Sequence, residues 1–358
     1  MTIMNENTMN MDMDMDMDVD VDVGLCPRLG RLLRLLLAAL ALWLLAMPAA
    51  RADTCTVTMT DIDFGVVSPI ANTDYTARGT LNVTCYWTLL LGQSPLLLPA
   101  ANVCVNLGPG SGGGTGDPRY LTAGTRRLGF NLYGDPSATS AWLWGGNAST
   151  IGAKPISGTL VGLLALGGVT RSVTIYGRIP ASSLAGVGTS GNADTLYTAN
   201  FAGHGTLQYS FGAGKACTAG ATEAFAFQAR ATVTNNCLIS ASNLVFGSGS
   251  PLSERRASAP LNVTCTANSS YQISMDGGAS GNPAARTMKN SVTGETLGYR
   301  ISATPDGPLW GNGSAGTTVY TGTGTGATQG VMMHGLVPRQ RAPTPGNYRD
   351  TVTVQLTF

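Results

Sequence analysis

Histidine and charged residues are scarce in this 358-residue sequence, which argues against most kinds of catalytic or metal site. It has two histidines, and charged residues make up 11% of the chain. His334 lies in a repeated motif where the other copy has Tyr176, which indicates a packing role, and His204 accompanies no nucleophile motif. The glycine-rich residues 108–117 lack the Gly-Lys-Ser/Thr of a phosphate-binding loop. The sequence therefore predicts no enzyme, no cofactor and no bound metal.

The first 52 residues have the parts of a secretory signal peptide. Three arginines between residues 28 and 34 precede an apolar run at residues 35–47, and an Ala-x-Ala sequence ends at Ala52. The alternative, a permanent membrane anchor, is disfavoured because this run is short. The Met-Asp repeat further upstream forms no packed core, and we interpret it as a translation start assigned too early rather than as a metal-binding tract. We expect cleavage after Ala52.

The exported chain, residues 53–358, has little net charge. Four arginines and seven acids precede the expected cleavage point, which leaves 17 Lys and Arg against 13 Asp and Glu. A net charge of +4 spread this thinly predicts no nucleic-acid partner.

Six of the seven cysteines belong to the exported part, because Cys26 precedes the cleavage point. No C-x-x-C pair occurs, and an even number of cysteines in an exported chain favours disulfides over metal ligation. The six are Cys55, Cys85, Cys104, Cys217, Cys237 and Cys265.

An internal repeat divides the exported chain into two related halves. The pentapeptide LNVTC occurs at residues 81–85 and 261–265, and a Phe-Gly pair begins nine residues after both Cys55 and Cys237. Further matches in the same order are Leu-Gly-aromatic at 128–130 and 297–299, Trp-Gly at 144–145 and 310–311, VTIYGRIP and VMMHGLVP at 173–180 and 331–338, and a final alternating strand at 205–211 and 351–358. Asp61 and Asp63 have no acidic counterparts, so the repeat shares no carboxylate site.

Both halves are predicted to be all-β. Apolar and polar residues alternate with period two in residues 80–85 and 351–358, and Gly, Pro, Asn and Asp separate the short runs, as in β-sandwiches. Equivalent positions in the two copies predict the disulfides Cys55–Cys85 and Cys237–Cys265, which leaves Cys104 to pair with Cys217. We place an N-terminal domain at residues 53–231 and a C-terminal domain at residues 232–358.

These motifs, with GNYRDTVTV at residues 346–354, resemble the spore coat protein U domain that archaic, Csu-type chaperone–usher pilins share. The resemblance covers nearly all of residues 53–358, and residues 197–211 make the first copy the more divergent one. It implies two immunoglobulin-like β-sandwiches in tandem, the second lacking its final strand, which a periplasmic chaperone and then an adjacent pilin would supply. Two such domains resemble the tip adhesin of a pilus assembled through an outer-membrane usher.

Strand exchange in that family requires an apolar extension before the first cysteine, but only Asp53 and Thr54 separate the expected cleavage point from Cys55. A donor-like segment occurs instead at residues 222–233, where Phe225, Phe227 and three smaller apolar residues alternate with polar ones. We expect its first half to complete the first domain and its continuation to begin the second. In the open second domain, the strand-exchange residues are predicted to be Val352, Val354, Leu356 and Phe358.

The first copy also contains apolar residues that the second lacks. One insertion consists largely of residues 89–99, a second contains residues 159–169, and a third apolar cluster lies at residues 141–144. Insertions lie in loops as a rule, so we expect exposed adhesive loops, the alternative being that these residues belong to the domain's own core. The predicted adhesive residues are Trp87, Leu89, Leu90, Leu91, Leu96, Leu97, Leu98, Trp142, Leu143, Trp144, Leu160, Leu163, Leu164 and Leu166.

The function predicted from the sequence is that of a pilus-tip adhesin, displayed at the cell surface and supporting attachment to a host or abiotic surface and biofilm formation. One alternative is a structural coat or surface component without a pilus. Another is a carbohydrate-binding tip in which Trp87, Trp142 and Trp144 stack on sugar rings.

Overall fold

The computed structural model describes residues 53–88, 97–146, 153–163, 167–341 and 343–358. They form two β-sandwiches in tandem, each with its own hydrophobic core; the buried residues of the first core end at Val233 and those of the second begin at Cys237. The predicted all-β, immunoglobulin-like class is confirmed. Within the described residues no helix is long and apolar enough to cross a membrane. The predicted signal peptide lies outside the described residues.

The first sandwich pairs an eight-stranded sheet, in the order β1-β3-β8-β6-β5-β9-β12-β2, with a four-stranded sheet, in the order β11-β10-β4-β7. Three one-turn 3-10 helices, η1 (Ser140–Trp142), η2 (Ala181–Ser183) and η3 (Cys217–Ala219), lie between strands. The strands are β1 (Thr54–Met59), β2 (Ile62–Val67), β3 (Tyr75–Trp87), β4 (Ala100–Leu107), β5 (Arg119–Ala123), β6 (Arg126–Tyr133), β7 (Ile156–Val161), β8 (Gly167–Ile179), β9 (Thr195–Asn200), β10 (Gly205–Phe211), β11 (Ala221–Phe225) and β12 (Gln228–Val233).

The second sandwich pairs a six-stranded sheet, in the order β13-β14-β19-β17-β16-β20, with a three-stranded sheet, in the order β18-β15-β21. One 3-10 helix, η4 (Gly278–Ser280), follows β15. The strands are β13 (Cys237–Ala241), β14 (Arg255–Cys265), β15 (Ser270–Met275), β16 (Arg286–Asn290), β17 (Thr296–Ser302), β18 (Tyr320–Thr323), β19 (Thr328–Val337), β20 (Tyr348–Arg349) and β21 (Val354–Thr357).

The LNVTC motif lies in β3 and β14, which are interior strands of the larger sheet of each copy. It ends β14, whereas Tyr86 and Trp87 follow it in β3. Its leucine, valine and cysteine face the core and its asparagine and threonine face outward, as period-two alternation requires. Each cysteine lies directly opposite its partner on the preceding strand, with Cα–Cα distances of 4.0 Å for Cys55–Cys85 and 4.1 Å for Cys237–Cys265. The third disulfide, Cys104–Cys217, links β4 to η3, so all three predicted pairs are formed.

The tryptophan of each Trp-Gly motif has the same place in both cores. The Nε1–H of Trp144 donates to the Val105 carbonyl at 2.8 Å, and that of Trp310 donates to the Ile273 carbonyl at 2.9 Å. A buried indole N–H needs an acceptor, and the fold supplies it from the same strand position in both sandwiches.

A buried arginine is a second shared feature, which the sequence analysis missed. Arg119 and Arg286 are each about 1% exposed, and their Nε atoms donate at 2.9 Å to the carbonyls of Gly108 and Asp276. Burial lowers the pKa of Arg119 to about 10 and also lowers the pKa of Arg286. The sequence feature that could have indicated this arginine is its position before the Leu-Gly-aromatic motif, nine residues before it in the first copy and eleven in the second.

Candidate functional site: a strand that completes the first sandwich and an apolar pole

The segment between the two sandwiches completes the first one. Strand β11 pairs with β10 at the edge of the four-stranded sheet, and β12 lies between β9, to which it is antiparallel, and β2, to which it is parallel. Three residues, 234–236, then connect β12 to β13. The expectation that the second half of this segment would begin the second domain is wrong, because β12 pairs along its whole length with strands of the first sandwich. The predicted domain boundary after Ala231 falls inside this strand.

The alternating apolar residues of the segment fill the first core. Phe225 and Phe227 are buried, and the last three inward residues of β12, Ala229, Ala231 and Val233, are fully buried. The ring of Phe227 stacks on Phe201 with centroids 4.4 Å apart, and the Trp144 ring stacks near both phenylalanines at 6.2 and 6.3 Å. The segment therefore forms part of the core as well as pairing with the sheets.

Two aspartates hold β12 at its outer side. Asp61 accepts a hydrogen bond from the Gln228 amide at 2.8 Å, and the Asp63 carboxylate pairs with the Nε of Arg230 at 2.9 Å. Hydrogen bonds from the Gly65 amide and from Arg230 lower the pKa of Asp63 below its usual value, outweighing the effect of burial. In the register that aligns Phe64 with Phe246, the second copy has Asn243 and Val245 at the positions of these aspartates, so the carboxylate anchors occur only in the copy where a strand is docked.

The second sandwich exposes the surface that β12 covers in the first. Ile62 and Phe64, beside β12, are buried, whereas their counterparts Leu244 and Phe246 are only partly buried. The two copies are otherwise alike here: the ring of Phe64 lies edge-on to Phe130 at 6.0 Å, and that of Phe246 lies edge-on to Tyr299 at 6.1 Å. The glycine after each phenylalanine has positive φ, +68° and +70°, which explains the shared Phe-Gly pair.

The last strand of the second sandwich also has an open edge. Among the described strands β21 pairs only with β15, whereas its counterpart β10 has β4 on one side and β11 on the other. The predicted strand-exchange residues Val352, Val354 and Leu356 are partly buried, and Phe358 is exposed. The edge of β21 that pairs with no described strand, next to partly covered apolar side chains, is a surface to which a further strand can add.

An apolar pole lies at one end of the first sandwich, where β3 and β7 end and β4 and β8 begin. Backbone pairing places these four ends together: Trp87 is opposite Gly167, Ala100 is opposite Val161, and the Gly162 amide donates to the Pro99 carbonyl at 2.8 Å. Between 48% and 83% of the surface of each of five apolar side chains is exposed here. We call these residues the apolar pole: Tyr86, Leu97, Leu98, Val161 and Leu163.

Four predicted adhesive residues are buried, which corrects their assignment to exposed loops. Trp87, Leu143, Trp144 and Leu160 are each at most 5% exposed. Side chains alternate along β7, so Leu160 faces inward between the outward-facing Thr159 and Val161. Trp87 is the last inward residue of β3, and its ring lies edge-on to that of Phe211 with centroids 6.5 Å apart. Residues 159–161 of the second insertion thus extend β7, and Leu160 belongs to the core.

Of the other predicted adhesive residues, Leu97, Leu98 and Leu163 are exposed at the pole, and Trp142 is exposed on η1 beside the end of β6. Leu89, Leu90, Leu91, Leu96, Leu164 and Leu166 lie outside the described residues. The carbohydrate-binding alternative required three exposed tryptophans. Because Trp87 and Trp144 are buried, that arrangement is wrong.

Two tandem immunoglobulin-like sandwiches, one completed by the chain itself and one with an open edge, define this protein as a strand-complemented β-sandwich protein. The family model for the Spore Coat Protein U domain matches residues 41–196 and 223–355, and the chain belongs to this family. No curated protein matches the sequence.

Solved structures with a similar fold include chaperone–adhesin complexes. One is the chaperone–tip adhesion subunit pre-assembly complex of the archaic chaperone–usher Csu pili of Acinetobacter baumannii, with 16% identity, a TM-score of 0.45, and coverage of 85% of this chain and 100% of that chain. Another is a chaperone–tip adhesin complex of CFA/I fimbriae biogenesis, with 11% identity, a TM-score of 0.31, and coverage of 84% and 95%. Similarity at this level assigns neither a ligand nor a partner to this chain.

Proposed function

We propose that this protein is the tip adhesin of an archaic chaperone–usher pilus and mediates attachment and biofilm formation. In this proposal the chain is exported by a signal peptide ending at Ala52, and residues 53–233 form the adhesive domain. The second domain binds a periplasmic chaperone and then a donor strand from the adjacent pilin at the usher. The observation that carries the proposal is the difference between the copies: β12 covers Phe64 in the first, and no described strand covers Phe246 in the second.

In this proposal the second sandwich is the acceptor site for a strand from another subunit. The donor-like segment, residues 221–233, is already bound to the first sandwich. A segment whose second strand, β12, is paired on both sides and whose phenylalanines are buried is not available to a neighbouring subunit. A subunit that accepts a strand at one end and presents a completed sandwich at the other suits the end of a fibre. The family membership and the resemblance of the sequence motifs to Csu-type pilins support the same position.

The apolar pole is the proposed attachment surface. Its leucines lose their water shell on contact with an apolar substratum, and full burial of one such side chain contributes about 1.5–3 kcal/mol. Because Leu97, Leu98 and Leu163 already bury part of their surface, we expect about 1–2 kcal/mol from each. Repetition over many pili multiplies weak single contacts.

Attachment is tested with Leu97→Asp, Leu98→Asp and Leu163→Asp combined in the full-length chain on assembled pili. We expect binding to polystyrene to fall at least tenfold while pili remain on the cells. Leu196→Asp is the matched control, because Leu196 is 55% exposed but lies on β9 rather than at the pole. Unchanged attachment by the piliated triple variant would refute the pole as the adhesive surface.

The open second sandwich is tested separately by producing the chain with and without a periplasmic chaperone of the archaic chaperone–usher class. We expect a stable one-to-one complex, and release of the chaperone when a shaft subunit's extension peptide is added. A chain that stays soluble and monomeric alone, and that binds neither chaperone nor peptide, would contradict the pilus assignment without bearing on the pole.

A further inference from the structure

The first sandwich contains a cavity of about 600 Å³ between its two sheets. Its walls are apolar side chains of both sheets: Leu81, Val83, Val103, Val105, Leu160 and Val173. Protein interiors are close-packed and hold few voids larger than a water molecule, so a space of this size is unusual between two packed sheets. It lies within the range of about 300–1,000 Å³ that is typical of small-molecule sites.

The cavity opens at a gap between two sheet edges. One edge is β7, the last strand of its sheet. The other is the part of β8 before residue 176, because β8 pairs with β6 only at residues 176–178. This part of β8 pairs with β3 on one side and with no described strand on the other. Three exposed side chains, Trp142, Lys154 and Arg171, line the cavity here. The opening is therefore flanked by an indole and two cations.

The two cations at the opening have no acidic partner among the described residues. The four ion pairs of that part of the chain involve Arg178, Arg230 and, twice, Arg256. The Arg171 guanidinium lies over the backbone of Gly158, where a Cβ would fall 2.6 Å from its Nη1 atom. Glycine at position 158 thus leaves room for the guanidinium directly beside the cavity.

The second sandwich fills the corresponding place with an aromatic ring. In the second sandwich, Tyr320 lies opposite Ile273, and the Ile273 carbonyl accepts the Trp310 N–H. In the first sandwich, Ile156 lies opposite Val105, and the Val105 carbonyl accepts the Trp144 N–H. Tyr320 and Ile156 are therefore equivalent positions. The Tyr320 ring lies 5.6 Å from the Trp310 ring. Because the first copy has the smaller Ile156 there, the space beside its tryptophan stays open.

We propose that this cavity binds one long-chain fatty acid, with its acyl chain between the sheets and its carboxylate at Lys154 and Arg171. An apolar interior that ends at two unpaired cations matches an amphiphile with an anionic head. This proposal is independent of strand exchange and of the apolar pole, since neither β12 nor a pole residue lines the cavity.

The test is titration of the full-length chain, purified in delipidated form, with cis-parinaric acid, whose fluorescence rises in an apolar site. We expect saturable binding of one molecule per chain, with energy transfer from the tryptophans at the cavity. Ile156→Tyr, which copies the second sandwich, should weaken binding at least tenfold. Absence of saturable binding by the wild-type chain would overturn the proposal.

A second variant keeps the test decisive if Ile156→Tyr does not fold. Lys154→Glu with Arg171→Glu changes only exposed side chains and should weaken fatty-acid binding at least fivefold while leaving a neutral long-chain alcohol unaffected. Lys289→Glu with Arg300→Glu, two exposed cations of the second sandwich, is the matched charge control. Equal losses in both double variants, or equal affinity of the wild type for acid and alcohol, would refute the assigned headgroup site.

Discussion

Replacing Phe227 by alanine should destabilise the first sandwich strongly, because this residue of the segment between the two sandwiches belongs to the first core. Phe227 is buried and stacks on Phe201 at 4.4 Å. Removal of a buried phenylalanine side chain costs about 3–5 kcal/mol, which combines lost transfer free energy with the cavity left behind. Taking 4 kcal/mol and a urea m-value of about 2 kcal/mol per molar, we expect the unfolding midpoint to fall by about 2 M.

The measurement must separate the two sandwiches, because each has its own core. Hydrogen exchange in urea, read by mass spectrometry on peptides from β3 and from β14, follows them individually. Phe227→Leu is the graded variant and should cost less than half as much. A loss below about 1 kcal/mol for Phe227→Ala would refute the conclusion that this segment is part of the first core.

A chain that lacks residues 221–233 offers a complementary measurement. We expect the first sandwich of that chain to unfold at lower urea and to be restored by a synthetic peptide of residues 221–233. The same peptide with Phe227→Ala should restore it poorly. Equal rescue by both peptides would contradict the role of the ring and leave only backbone pairing.

Three further predictions concern single interactions. Asp63→Asn should destabilise the first sandwich by less than about 1 kcal/mol, as is usual for half-exposed ion pairs. Because the pKa of Asp63 is lowered in the folded state, the full difference in stability is expected above about pH 4 and should disappear as the pH falls through the folded-state pKa. Unfolding curves recorded over a series of pH values measure this difference. Replacing Cys104 and Cys217 by serine opens a loop of 113 residues and should cost up to about 4–5 kcal/mol in chemical denaturation. Phe64→Ala should cost about 3–5 kcal/mol and Phe246→Ala about half as much, since only Phe64 is covered by a docked strand; equal losses would contradict the open second sandwich.

The repeat was readable from the sequence because both copies obey the same packing rules. LNVTC places a leucine, a valine and a cysteine on one face of a central strand, and the Trp-Gly motif places an indole at a fixed carbonyl. Comparison of the copies also predicted Cys55–Cys85 and Cys237–Cys265, and elimination predicted Cys104–Cys217. These features depend on side chains that neighbour each other in an alternating strand, which a sequence displays directly.

Leu160 of the second insertion was misread because short apolar runs do not reveal whether they are strand or loop. Residues 159–161 alternate outward, inward and outward on β7, so Leu160 is core while Val161 is exposed. Trp144 was assigned to an adhesive surface even though Trp310 in the second copy pointed to a structural role. Arg119 was missed because its burial depends on backbone carbonyls far away in the chain, at Gly108 and Trp144.

The same segment that completes the first sandwich also determines what the second one can do. Residues 221–233 precede Cys237 at the place where a pilin of the resembled family has its donor extension, and in this fold both of its strands are engaged by the first sandwich. The chain therefore uses this segment on itself, whereas no described strand covers Leu244 and Phe246 of the second sandwich. Under the proposed function, this arrangement makes the subunit an acceptor. The outward end of the subunit is then the first sandwich, whose core is completed by the chain itself and requires no strand from a neighbouring subunit. The apolar pole of that sandwich is therefore available for contact with a surface.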